Sequence, residues 1–290
     1  MPSNRRRSMP RTTARFFLLG AACLIGVTLA SRADAAEPQP GDAAALQAAI
    51  DGPQRSARFI ARDAVRHPAQ ELTFFEITPR ATVIEIWPGA GYWTEILAPY
   101  LHDHGTYYAA IEPRSAGSET SPDAKTPFQI KLDADKALYG AVKLTEFAPK
   151  NPAPIAPDGS ADVILTFRNL HNWLKQGNAD QALATFYRAL KPGGILGLED
   201  HRGQRDVAQD PRALDGYVRQ DYAIALVQRA GFEFVASSEI NANPKDTANW
   251  PKGVWTLPPT FSLGDVDRDT YAAIGEADNF VLKFRKPLRH

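Results

Sequence analysis

The stretch Thr82-Val83-Ile84-Glu85-Ile86-Trp87-Pro88-Gly89-Ala90-Gly91 changes character within ten residues. Its first six residues are a β-branched run of the kind that extends into a strand, and Pro88 to Gly91 then breaks it. Beyond the glycines, Trp93, Ile96, Leu97, Tyr100 and Leu101 recur at i, i+3, i+4, i+7 and i+8, the apolar stripe of a helix. Strand, glycine turn and helix in direct succession predict a βα unit of a parallel sheet. With no Cβ at Gly89 and Gly91 the turn can be tight and a ligand can approach the backbone closely. The helix start expected at Tyr92 offers free N–H groups to an anion such as a carboxylate.

The alternation continues downstream. Further strands are expected at 106–111, 142–147, 161–167, 195–199, 232–237 and 279–284, with helices at 134–139 and 180–190. Asp210-Pro211 has the start signal of a helix running to Gly231. Residues 114–126 read as a polar loop, and 241–261 as a Trp- and Pro-rich connection. Residues 36–80 read as helical, over 43–50 and 56–67, with Pro68 as a stop. Seven strands spaced by helical segments, the last two lacking a clear helix between them, predict an α/β fold. Its expected form is a doubly wound, mostly parallel seven-stranded sheet with an antiparallel edge strand and an N-terminal helical extension.

The 290-residue chain has 33 basic and 33 acidic residues, one cysteine and two methionines, and its beginning distorts all of these counts. Arg5, Arg6, Arg7, Arg11, Arg15 and Arg32 precede the first acidic residue, Asp34. A 15-residue apolar run covers 16–30, and Ala33-Asp34-Ala35 supplies an A-x-A cleavage signal. This is the layout of a secretory signal peptide, and the run is shorter than the roughly 20 residues of a spanning helix. Residues 1–35 are therefore expected to be removed on export to the periplasm or beyond, an uncleaved anchor being the alternative. The triple arginine also admits twin-arginine export, and Cys23 lipid attachment.

Cleavage after Ala35 leaves an extension at 36–80 and an α/β domain at 81–290, together 255 residues with 27 basic and 32 acidic side chains and a net charge of −5. That balance speaks against a nucleic-acid partner, whose phosphates need basic neutralisation. No stable membrane span is expected after cleavage. Cys23, Met1 and Met9 all lie in the leader, so the remainder contains no sulfur. Disulfides, thiolate nucleophiles and cysteine zinc sites are excluded there.

Parallel sheets hold ligands at the carboxyl ends of their strands, so the informative residues are those just after each strand. Over roughly residues 70–285 the chain resembles the class I S-adenosylmethionine-dependent methyltransferases. Their first strand ends in E/D-x-G-x-G-x-G; here it reads Glu85-Ile86-Trp87-Pro88-Gly89-Ala90-Gly91, with Trp87 in the place of the first glycine. Leu190-Lys191-Pro192-Gly193-Gly194 and Ala230-Gly231-Phe232 also match. The resemblance implies a Rossmann-like fold and S-adenosylmethionine as cofactor. It implies a cofactor site of Glu85, Trp87, Gly89, Gly91, Glu112, Glu146 and Phe147. Glu112 stands 21 positions after Gly91. An acidic residue about 20 positions on accepts both ribose hydroxyls, because one carboxylate offers two acceptor oxygens. Glu146-Phe147 occupies the place where the family contacts adenine with an acid and an apolar face. Trp87 either faces the sulfonium or adenine, with a cation–π contact of about 0.5–2 kcal/mol, or packs in the core.

The fourth strand ends in Thr166-Phe167-Arg168-Asn169-Leu170-His171-Asn172-Trp173, which in the family lies beside the transferred methyl group. Glu199-Asp200-His201-Arg202 follows the fifth. Arg168, Asn169, His171, Asp200 and His201 are the candidate catalytic residues. His171 can deprotonate a nucleophile, Asn169 or Asn172 can orient it, and Asp200 can pair with His171. A plain turn, capped by the asparagines with Trp173 packed beneath, is the other reading. His102-Asp103-His104 reads as a helix end, where histidine suits the dipole.

The expected activity is methyl transfer to a small-molecule acceptor by in-line attack on the sulfonium methyl, without a resident metal. Trp173, Trp250 and Trp255 suit a flat or apolar acceptor. Two alternatives stand beside it: an exported methyltransferase-like binding protein without turnover, and a metal-dependent periplasmic enzyme built on His171, His201 and Asp200.

Overall fold

A computed structural model describes residues 1, 39–113, 124–151 and 153–288. The expected leader beyond Met1 and most of the 114–126 loop lie outside the described residues. The fold lies within the compact unit Ala33–His290.

Four helices come first: α1 (Asp42–Ile50), α2 (Ala57–Ile60), α3 (Asp63–Arg66) and α4 (Pro68–Phe74). Pro68 opens α4 as well as closing what precedes it. His67 turns left-handed, at φ 42°, and the fixed φ of proline suits a first helical turn. Then follow β1 (Thr82–Ile86), α5 (Thr94–Leu101), β2 (Thr106–Ile111), α6 (Pro127–Ala134), α7 (Lys136–Tyr139), β3 (Lys143–Glu146) and β4 (Ala161–Phe167). The second half is α8 (Leu170–Gln176), α9 (Ala179–Ala189), β5 (Leu190–His201), α10 (Gln220–Arg229), β6 (Glu233–Ser238), β7 (Pro251–Val254), α11 (Arg268–Ile274) and β8 (Asn279–Arg285). Among the described residues no helix is long and apolar enough to cross a membrane.

Seven strands form one sheet in the order β3-β2-β1-β4-β5-β8-β6. Pairing is parallel from β3 to β5, and β8 runs antiparallel to both β5 and β6. The antiparallel pairing thus sits at one edge of the sheet, with the reversed strand one place in from it. Side chains alternate across a strand, so β1 sends Val83 and Glu85 to one face and Ile84 and Ile86 to the other. The first face is covered by α1, α4 and α5, through Leu46, Leu72, Ile96 and Leu97. The second is covered by α8, α9 and α10, through Trp173, Leu183, Phe186 and Val227.

Three local expectations need correction. The helix expected from Asp210 begins only at Gln220. Asp210 instead closes a turn by accepting from the N–H groups of Arg212 and Leu214, each at 3.0 Å. Val218 N–H then donates to His201 O at 2.9 Å, which holds this stretch extended beside the end of β5. Helix α5 starts at Thr94, two residues later than expected, because Tyr92 and Trp93 pack beneath the turn. And α6, α8 and α11 stand where no helix was expected.

Helix α4 approaches β5 closely because position 197 has no side chain. A Cβ on Gly197 would lie 2.7 Å from the Phe75 ring and 2.9 Å from Leu165. Both neighbours are fully buried. Gly197→Ala should therefore destabilise the protein by about 1–3 kcal/mol, the usual cost of overpacking. Urea unfolding measures this, and an unchanged midpoint would contradict so close a contact.

Candidate active site

The site forms where β1 and β4 end side by side. Ile86 pairs with Thr166, and the chain then leaves the two strands towards opposite faces of the sheet, into α5 from β1 and into α8 from β4. Both exits are left-handed at non-glycine residues, Trp87 at φ 51° and Arg168 at φ 61°. Such bends cost about 1–3 kcal/mol each and persist only when surrounding contacts hold them. Trp87 N–H donates to Ala110 O at 2.8 Å, and its indole N–H to Phe147 O at 3.0 Å. Arg168 N–H donates to Glu199 O at 2.7 Å. Asn169 ties the strand ends together, its amide donating to Ile86 O at 3.1 Å and to Thr166 Oγ1 at 3.2 Å.

Between the exits opens a cavity of about 390 Å³, within the usual range of small-molecule sites. Trp87, Pro88 and Gly89 line one side, Ile111 and Glu112 the end of β2, and Asn169, Asn172 and Gln176 the far wall. Thr126 and Phe128 add a further wall that sequence reading missed. Its signal was present in Thr126-Pro127-Phe128-Gln129, because Thr126 and Gln129 form a reciprocal capping box at the start of α6.

The sequence-predicted cofactor residues divide into two groups. Trp87, Gly89 and the exposed Glu112 line the cavity. At Gly89, φ is 58° and an added Cβ would meet nothing within 4 Å, which leaves room for a ligand against the backbone. Gly91, at φ 87°, serves packing: a Cβ there would lie 3.2 Å from Phe128, so its absence lets α6 close on the loop. Phe147 is a correction. Its ring is buried among Trp87, Trp173 and Phe186 and does not line the cavity. Glu146 is exposed at the end of β3 and does not line it either.

Glu85 also points away from the cavity, into the α5 side. It accepts hydrogen bonds from Tyr107 Oη and from Thr94 Oγ1, the latter at 3.1 Å. Burial pushes its carboxyl up to about 7, against those two hydrogen bonds and the Lys131 charge. It anchors the first residue of α5 to the sheet.

The catalytic candidates lie beyond Asn169. His171 is buried in the first turn of α8, and Asp200 is fully buried near the end of β5. Asp200 accepts from His171 N–H at 2.9 Å and from His201 N–H at 2.8 Å, and its Oδ1 lies 2.8 Å from His171 Nδ1. Burial alone would raise the Asp200 pKa, but His171 and these hydrogen bonds outweigh it and hold the carboxyl below its ordinary value. An ionised carboxylate only accepts, so the His171 Nδ1 that faces Asp200 carries a proton. Burial drives His201 down to about 3 despite the adjacent Asp200. Its Nδ1 is 2.7 Å from Asn279 Oδ1, and its ring centroid 5.3 Å from that of His171.

Arg168 turns from the cavity to Glu276, at 3.1 Å, where Arg62 of the helical extension also binds. Trp255 meets the His171 ring edge-on at 6.1 Å. Trp173 is fully buried core, and Trp250 packs on Tyr271 while donating to Asp246. Glu199, buried beside Asp200, shares the amide of Asn241 with Glu71. Burial first, with Asp200 and Glu276 adding repulsion against the pull of Arg168, lifts Glu199 to about 7.

Residues 88–198, from the loop after β1 to the far part of β5, match the methyltransferase domain family. Over these residues the chain is similar to a methyltransferase domain. Solved structures support the fold. An S-adenosylmethionine-dependent methyltransferase from Aquifex aeolicus is 16% identical with a TM-score of 0.52, over 84% of this chain and 98% of that one. The [4+2]-cyclase SpnF is also 16% identical with a TM-score of 0.52, over 86% and 94%. A sarcosine dimethylglycine methyltransferase, so described provisionally, from Galdieria sulphuraria is 12% identical with a TM-score of 0.50, over 77% and 84%. No curated protein matches the chain. The cyclase shows that this scaffold hosts other chemistry.

The protein should lose stability as pH rises through the range set by its buried acids. A carboxyl whose pKa is raised in the folded state favours folding when protonated. For Glu85 that contribution is complete below about 4.5, its ordinary value, and is lost as pH rises to about 7. Glu85→Gln, which stays neutral, should therefore melt higher than the parent at pH 8 and match it near pH 4. Thermal melts at both values test this, and an equal difference at both would contradict it.

Proposed function

We propose that the protein transfers a methyl group from S-adenosylmethionine to a small-molecule acceptor outside the cytoplasm. The observation that carries this reading is the lining of the cavity at the β1 and β4 ends. Gly89 leaves open space, Glu112 offers a carboxylate at the end of β2, and Asn169 and Asn172 form the opposite wall. These residues fit the cofactor: an adenosyl group needs backbone approach at the glycine turn and a two-oxygen acceptor for its ribose. Bound S-adenosylmethionine supplies a methyl group on a positively charged sulfur, open to in-line attack by a lone pair of the acceptor.

The chain's own residues do the rest. Glu112 accepts from the ribose hydroxyls, and Trp87 offers its indole to the cavity. Asn169 Oδ1, which has no hydrogen-bond partner among the described residues, orients a donor group. His171, held by Asp200, takes the acceptor's proton on Nε2. Because the methyl is already electrophilic, positioning dominates and the base is an aid. Arg168, bound to Glu276, holds the turn in place. Glu85, Gly91 and Phe147 support the cofactor wall from behind, and His201 stands beside His171 on the acceptor side.

The net charge of −5 over residues 36–290 favours a small acceptor over nucleic acid. In the same reading residues 1–35 are a cleaved secretory leader, 36–80 a helical extension and 81–290 the catalytic domain, and the protein works in the periplasm or beyond.

Calorimetric titration with S-adenosylmethionine and S-adenosylhomocysteine should show binding by both. No heat at millimolar ligand together with an unchanged melting temperature would sink the proposal. Glu112→Ala should weaken binding at least about 10-fold, or about 1.4 kcal/mol, with an unchanged circular dichroism spectrum. His171→Ala should keep cofactor affinity yet lower turnover by about 10²- to 10⁴-fold, read as S-adenosylhomocysteine released with an acceptor found by screening. Parental turnover would remove His171 from the mechanism.

A further inference from the structure

Helix α6 supplies the cavity wall formed by Thr126 and Phe128, yet little of it is fixed by apolar packing. Phe128 is its one buried side chain, and Ile130 is 57% exposed. A stronger hold comes from Lys131, whose ammonium donates to Glu95 Oε1 on α5. The Lys131 stem runs over the glycine turn, where a Cβ on Gly91 would meet its Cδ and Cε at 3.4 Å. Its ammonium stands 4.9 Å from the centre of the Phe59 ring. One side chain of α6 thus touches the turn after β1, helix α5 and the helical extension.

Glu95 is prepared to receive it. Its side chain is 1% exposed, and the extension supplies its other partners. Ser56 N–H donates to Oε2 at 2.7 Å and Ser56 Oγ to Oε1 at 2.5 Å, while Arg55 Nε lies 3.7 Å from Oε2. Arg55 is in turn paired with Asp63 at 2.7 Å, and Asp63 accepts from the hydroxyl of Tyr92, next to Gly91, at 2.6 Å. A carboxylate taken out of water needs such paired and hydrogen-bonded neighbours, and losing one partner is costly because the charge stays buried. These contacts fix the place of α6 with a directionality that one apolar ring lacks. The exposed pair of Lys125 with Asp133, by contrast, contributes little.

We propose that Lys131 is a positioning residue for the cofactor. Anchored on Glu95, it latches α6 so that Thr126 and Phe128 complete the cavity wall, and through Ser56 and Arg55 the helical extension becomes part of the cofactor site. The inference rests on the reading above that this cavity takes S-adenosylmethionine. Without the latch, Phe128 and the half-buried Leu132 are the apolar contacts left to α6, and the wall is complete in only a fraction of the molecules. The apparent Kd rises by the inverse of that fraction, so a wall complete in about one molecule in ten weakens binding about 10-fold.

The test pairs calorimetric titration of S-adenosylhomocysteine with hydrogen exchange, read by mass spectrometry over residues 127–134. Lys131→Met keeps the stem over Gly91 and removes the charge. It should weaken binding at least about 10-fold and speed exchange over 127–134 in the ligand-free protein. Because that variant leaves Glu95 short of a partner, Lys131→Met/Glu95→Gln is measured beside it. The double variant removes the buried charge together with the latch, and should unfold cooperatively in urea yet bind as weakly. Lys131→Arg, which still reaches Glu95, should restore parental affinity and exchange, whereas a general loss of packing would weaken both Lys131 variants alike. Lys125→Met should leave affinity and exchange unchanged. Parental affinity in the folded double variant, or unchanged exchange over 127–134, overturns the inference. A parent that binds neither S-adenosylhomocysteine nor S-adenosylmethionine overturns the proposed function and this role of Lys131 with it. A parent that binds, with variants that bind equally well, overturns the latch alone.

Discussion

Two adjacent parallel strands, β1 and β4, must send the chain away to opposite faces of the sheet, and the rest of the site depends on how that divergence is held. The divergence opens a crevice, because the connections leaving the two strand ends part to opposite faces. Its exits, at Trp87 and Arg168, adopt a backbone conformation that bulky residues disfavour. What holds them is a set of bonds from neighbouring strands: Ala110 O and Phe147 O for Trp87, Glu199 O for Arg168, and the Asn169 amide across the gap. On one face Trp93 stacks on Phe167 at 4.3 Å. On the other, Trp87 meets Trp173 at 5.6 Å. The strained turns are thus clamped between two aromatic layers, and a ligand meets walls that are already formed.

The polar groups around this frame follow one pattern. Glu85, Glu199 and Asp200 all sit on strands of the parallel core and are almost entirely buried. Where the neighbours are hydroxyls or other acids, burial wins and the carboxyl titrates near neutrality, as at Glu85 and Glu199. Where two backbone N–H groups converge with a histidine ring, as at Asp200, the charge is retained. Two adjacent positions in β5 thereby hold acids of opposite character. The ionised one faces His171, and the other faces Glu71 across Asn241. Arg62, Arg168 and Glu276 tie the helical extension, the end of β4 and the segment before β8 into one ion network, which braces the turn after β4 from outside.

The fold was largely legible because its signals are local. The β-branched run at 82–86, the glycine break and the i, i+3, i+4 stripe after it each report on a few neighbouring residues. Strand spacing then fixed the expectation of a parallel sheet and of Glu112 at its edge. The failures have equally definite causes. Asp210-Pro211 carries a helix start signal, but Val218 is drawn into a bond with His201 O, and that contact outweighs local preference. Phe147 matches the position of an adenine-facing residue, yet its backbone serves Trp87 while its ring fills the core. Trp87 itself, left open between cavity and core, does both.

By itself the sequence determined the order along the chain of the strands in the sheet, the glycine turn after β1 and the identity of the residues that follow each of those strands. All of these depend on period and composition within a short window. Only the tertiary structure decided which of those residues share a cavity and which share a charge. His171 and Asp200, 29 positions apart, were brought together in advance only by their places after neighbouring strands, and Glu71 and Glu199 lie far further apart in sequence, where no local pattern announces that they meet. Their protonation depends on desolvation and on the groups folded against them, quantities that come into being when the sheet closes between its helices.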